Sequence, residues 1–130
     1  METTNIPLKD FIDLSDQLID NISIVSENNQ IKNYCKICKK FIIKYPENYL
    51  EMYKKYIYIK SKNIKDNDYS ILNNYKNWTV KNPNININKT DMDSIFHLLF
   101  TSFDTLTADN KKAIFMYLQY MNEIIEKYNL

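Results

Sequence analysis

The stretch Thr107-Ala-Asp-Asn-Lys-Lys-Ala-Ile-Phe-Met-Tyr-Leu-Gln-Tyr-Met-Asn-Glu-Ile-Ile-Glu-Lys-Tyr-Asn-Leu130 decides the fold of this chain. Thr107 is a good N-cap, because its hydroxyl can accept a backbone N–H two or three residues on. Asp109 places negative charge in the first turn and Lys127 positive charge in the last, as the helix dipole prefers. Between them Ile114, Tyr117, Leu118, Met121, Ile125 and Tyr128 recur at steps of three and four, which stacks them on one face. Burying such a stripe is worth about 1.5–3 kcal/mol per large side chain before entropy is subtracted. A helix of about 21 residues spans about 30 Å, the width of a small domain. A face of that length needs cover, and the chain upstream must supply it.

The same period recurs upstream. Residues 1–6 read as a loose tail, and Pro7 as a helix start, where its missing N–H costs nothing. Leu8, Phe11, Ile12, Leu18, Ile19, Ile22 and Val25 form an apolar stripe, with Asp10, Asp13, Asp16, Gln17 and Asp20 opposite. A second helix, from about Gln30 to Tyr45, turns Ile31, Tyr34, Cys35, Cys38, Ile42 and Tyr45 inward. Pro46 ends it and can open a third, running to about Lys60 with Leu50, Tyr53, Tyr56 and Ile57 inward. Ser61 to Asp68 is polar and reads as a loop. Tyr69 to Trp78 reads as a short helix, and 79–89, with Pro83 and four Asn, as a loop. Thr90-Asp91-Met92-Asp93 is a capped start for a helix carrying Ile95, Phe96, Leu98, Leu99, Phe100 and Phe103. That helix is apolar nearly all round and so belongs at the centre. No alternating strand pattern of useful length is present. The expected fold is therefore all-α, a single compact bundle of five or six helices with no sheet, in one domain over 1–130.

At 130 residues the chain is long enough for one core and too short for two. It has no Gly and no Arg, so all seventeen basic residues are lysines, while Asn, Ile, Lys and Tyr abound. An AT-rich genome favours codons for those four. Without Gly, the left-handed position at helix ends falls to Asn, with Asn28, Asn29, Asn63 and Asn129 placed for it. The net charge of +1 conceals segregation. Residues 1–30 carry one Lys against six acids, and residues 31–65 ten Lys against two Glu, so helices should pair partly by charge. No window approaches 18 uninterrupted apolar residues, and the N-terminus lacks a basic region followed by an apolar core. These features lead us to expect no membrane span and an intracellular, non-secreted protein with reduced cysteines.

Phe11-x6-Leu18-Ile19, Tyr34, Pro46-x5-Met52-Tyr53 and Leu106-Thr107-x-Asp109-Asn110-Lys111-Lys112-x-Ile114-x2-Tyr117-Leu118-Gln119 share a layout over most of the chain. This layout resembles short all-helical proteins of unknown function encoded by giant DNA viruses. Only the last motif is specific. Such relatives tend to carry Trp just before the Tyr-Leu pair, where this chain has Phe115 and Met116. The resemblance implies a viral helical protein, in host cytoplasm or virion, and brings no catalytic residues with it.

Cys35-x-x-Cys38 invites a metal or redox reading. A zinc site needs four ligands, and the chain offers these two cysteines and the single His97. Thioredoxin-like chemistry needs a βαβ setting. On an apolar helix face Cys acts as a small hydrophobe, which is the role expected of both. His97, between Phe96 and Leu98, reads as a packed histidine. The absence of Gly excludes the Gly-rich phosphate loops. With no paired base, metal cluster or nucleophile elbow, the expected protein is not an enzyme, with no catalytic residue, metal, cofactor or small-molecule substrate. The expected function is a protein-interaction or assembly module, by self-association or with another protein, anchored by Trp78, Phe115 and Tyr120, which fall off the main apolar faces. The alternative is nucleic-acid binding by the Lys/Tyr-rich segment 31–65, with Lys32, Lys36, Lys39 and Lys40 on phosphates and tyrosines stacking on bases.

Overall fold

The structure, a computed structural model, describes residues 2–70 and 106–130. Among these residues every regular element is helical and none is a strand. In chain order they are α1 (Glu2–Val25), α2 (Asn29–Lys44), α3 (Pro46–Tyr56), a 3-10 turn (Tyr58–Lys60), α4 (Ser61–Lys65) and α5 (Ala108–Tyr128). Four of the helices have eleven residues or more, and α4 is a single turn. The helix expected from Tyr69, the 79–89 loop and the helix expected from Thr90 lie, from residue 71 on, outside the described residues. So does the choice between five helices and six.

The core forms where α1 packs against α2 on one side and α5 on the other, with α3 following α2 and α4 lying on α5. Phe11, Tyr53, Phe115 and Met121 are fully buried within it. The Phe11 ring stands edge-on to Tyr53, with centroids 5.1 Å apart, and tilted against Tyr49 at 5.7 Å. Among the described residues two polar side chains, Ser15 and Asn122, share this core. Ser15 returns its hydroxyl to the Phe11 carbonyl at 2.9 Å. Tyr53 donates to Asn122 Oδ1 at 2.6 Å, tying α3 to α5 through the interior.

Helix ends follow the logic of a chain without glycine. Thr107 caps α5 by accepting the Asn110 N–H at 3.2 Å, and Asn129 closes it at φ 54°. Asn28 begins α2 instead of ending α1, since its backbone is extended and its Oδ1 accepts from Gln30 N at 2.8 Å. Asn29 lies inside α2 and Asn63 inside α4, and the second left-handed residue among the described residues is Asn67, at φ 57°.

Three expectations are corrected. α1 begins at Glu2, so residues 2–6 are helical and Pro7 sits in the second turn. There it forgoes one bond to the carbonyl four residues back, and its buried ring offsets that loss. α3 stops at Tyr56, with Tyr49 and Met52 inward while Leu50 and Tyr56 are half-buried. Contact with Phe11 turns this face, and Tyr45, at 36% exposure, lies outside the core. The expected loop at 61–68 contains α4, because Ile64 is fully buried against α5 and its carbonyl accepts from Gln119 Nε2 at 2.8 Å.

Candidate functional site

The outer face of α5 holds the first candidate. Tyr120 is 51% exposed, and Met116, one turn earlier on the same ridge, is 45% exposed. Phe115 does not join them. It is fully buried, with the Tyr69 ring edge-on at 4.7 Å, so it is a core residue and no surface anchor. The cause is a rotation of the buried stripe. α4 and Tyr69 cover the side of α5 carrying Phe115 and Asn122, and Tyr128, expected inward, is left 48% exposed. Tyr117 is half-buried and its hydroxyl accepts from Asn21 Nδ2 at 2.7 Å. Trp78 and His97 lie outside the described residues. Met116 was missed because the sequence shows a methionine of the core type. The available signal was its four-residue step to Tyr120.

The four lysines of the alternative reading divide into two pairs. Lys39 Nζ lies 2.6 Å from Asp20 Oδ1 and 3.7 Å from Asp16 Oδ1, and the Asp20 hydrogen bond raises its pKa. Lys32 Nζ donates to the Ser23 carbonyl. Both are thus spent on α1, Lys39 on acids, as the charge segregation of the sequence led one to expect, and Lys32 on a neutral carbonyl. Lys36 and Lys40 are exposed one turn apart and make no ion pair among the described residues.

A polar groove of about 500 Å³ runs between α4 and α5, with Lys62 and Lys65 on one wall and Glu123 and Glu126 on the other. Glu126 also faces the Tyr58 phenol, whose pKa is raised by burial first and by that carboxylate second. The groove holds opposed charges but no nucleophile paired with a base.

Cys35 and Cys38 are packed in the core at 1% and 2% exposure, both as thiols. Burial pushes Cys35 up to about 11 against the partial opposition of Lys32, and raises Cys38 further. A protonated, enclosed thiol is a poor nucleophile and a poor ligand. Among the described residues no three His, Cys, Asp or Glu side chains converge on a point that could hold a metal ion. No helix among them is long and apolar enough to cross a membrane. No family model, curated protein or solved structure matches the chain.

Proposed function

We propose that this chain is a non-enzymatic protein-interaction or assembly module, a single bundle of five or six helices that presents apolar side chains from a rigid frame. The observation that carries this is the pairing of Met116 and Tyr120 on the outer ridge of α5, a helix capped at both ends and fixed through its opposite face. An aromatic beside a methionine, held by a stiff helix, loses little entropy when covered, which suits an interface anchor. The resemblance of the Leu106 to Gln119 motif to helical proteins of giant DNA viruses supports a viral and intracellular setting.

The test is affinity capture from the native source with the wild-type chain and with Tyr120→Ser combined with Met116→Ser. The variant should lose the captured partner while its folding stability changes by no more than about 0.5 kcal/mol, as for other surface substitutions. Unchanged capture, or simple unfolding of the variant, would overturn the proposal.

One observation favours the nucleic-acid alternative. Lys36, Lys40 and Lys44 lie at four-residue steps on α2 and are all exposed. Steeply salt-dependent retention on polynucleotide, lost with Lys36→Glu and Lys40→Glu, would establish that reading.

A further inference from the structure

α1 and α2 run antiparallel. Lys32 meets Ser23 at one end of their seam, and Lys39 meets Asp16 and Asp20 toward the other. Each helix carries charge of nearly one sign; Asp16, Asp20, Lys32 and Lys39 are half-buried in the seam, and past it Asp10 and Asp13 on α1 and Lys36, Lys40 and Lys44 on α2 are exposed. From residue 6 onward α1 carries Asp10, Asp13, Asp16 and Asp20 against the single Lys9. α2 carries Lys32, Lys36, Lys39, Lys40 and Lys44 and no acid. Two of the most exposed large apolar side chains stand on the same surface: Ile24 at 74%, one turn beyond Asp20, and Ile43 at 75%, one turn beyond Lys39.

A surface with an acidic row beside a basic row is complementary to itself under one arrangement. A twofold axis lying in the contact plane along the helices lays the acidic row of each copy on the lysine row of the other. Opposite charges then meet twice. An axis across the helices would lay acid on acid and lysine on lysine, which is repulsive. Exposed ion pairs contribute little on their own, so Ile24 and Ile43 supply the apolar area that such a contact requires.

We propose that this face joins two copies of the chain in a twofold dimer, with Asp10 and Asp13 of α1 in each copy against Lys40 and Lys44 of α2 in the other, the pairs that the antiparallel register of the seam brings level. The contact rests on the assembly reading in naming a second copy as partner, yet it uses a face separate from Met116 and Tyr120.

Sedimentation of the full chain across ionic strength tests it. A dimer should prevail at low salt and dissociate as salt screens the rows. Lys40→Glu with Lys44→Glu should weaken self-association by at least about tenfold, and Asp10→Lys with Asp13→Lys should do the same. The deciding sample is an equimolar mixture of these two variants. Each retains the row the other needs, so the mixture should recover the dimer. A wild type that stays monomeric at low salt, a variant that still dimerises, or a mixture that stays monomeric overturns the proposal. Monomers that bind polynucleotide through Lys36 and Lys40 overturn it in favour of a nucleic-acid surface. Tyr120→Ser with Met116→Ser should leave the dimer intact, which separates failure here from failure of the α5 contact.

Discussion

Tyr53 and Asn122 show how one buried pair specifies this core. The Tyr53 side chain is fully buried, Asn122 is nearly so, and their 2.6 Å hydrogen bond joins residues 69 apart in sequence. Tyr53→Phe leaves the Asn122 oxygen without its donor and should cost about 1–3 kcal/mol, read as a lower urea midpoint at unchanged slope. Adding Asn122→Leu should recover part of that loss, because removing both polar partners costs less than orphaning one. A double variant as unstable as the two losses added together would deny the coupling. The buried thiols give a pH dependence of definite sign. Unfolded, Cys35 ionises near its ordinary value of 9.0, whereas folded it ionises near 11. The unfolded state therefore binds fewer protons in that interval, so the stabilisation is complete below pH 9 and is lost as pH rises through 11. Urea midpoints at pH 8 and pH 10 should diverge more for wild type than for Cys35→Ala with Cys38→Ala. Equal divergence would remove the thiols as its source.

Helices with ordinary ends were legible in the sequence, and helices made by tertiary contact were not. For α5 the cap, both charged turns, the length and the left-handed close were all readable, because each depends on residues within one turn. Thr107→Ala should accordingly cost about 0.5–2 kcal/mol. Asn129→Gly should be neutral or slightly stabilising and Asn129→Val destabilising, since valine resists positive φ. Thermal melts of the three variants decide this, and no change with Thr107→Ala would dismiss the cap. α4 was hidden for the opposite reason. A lone Ile64 among Ser61, Lys62, Asn63 and Lys65 has no period to detect, and only Gln119 and the apolar side of α5 reveal its role. Phe115 was misplaced by the same limit. A helical wheel gives the angle between side chains but not the direction from which cover arrives, and here it arrives from α4 and Tyr69.

Across the molecule, α1 is the element that touches both long neighbours. Its charge pattern marked α2 as a partner in advance, and Lys39 with Asp16 and Asp20 meets that expectation. Its contact with α5 could not be read from the sequence, because apolar faces match any apolar face. Hydrogen exchange should be slowest at Leu18 to Ile22 in α1 and Leu118 to Asn122 in α5, where buried side chains crowd both helices. Faster exchange there than in α3 would place the most stable unit elsewhere.

The enclosure of Tyr49 also has an optical consequence. Burial raises its pKa beyond the usual phenol range, so this ring stays a phenol at pH values that ionise a phenol in water. Absorbance near 295 nm should therefore rise in two stages, the later one coinciding with loss of helical circular dichroism. Returned quickly to neutral pH before that second stage, the protein should retrace its spectrum; taken past it, the late rise should reverse only as fast as the chain refolds. The chromophore is native to the chain, so the alkaline spectrum records unfolding without any added label.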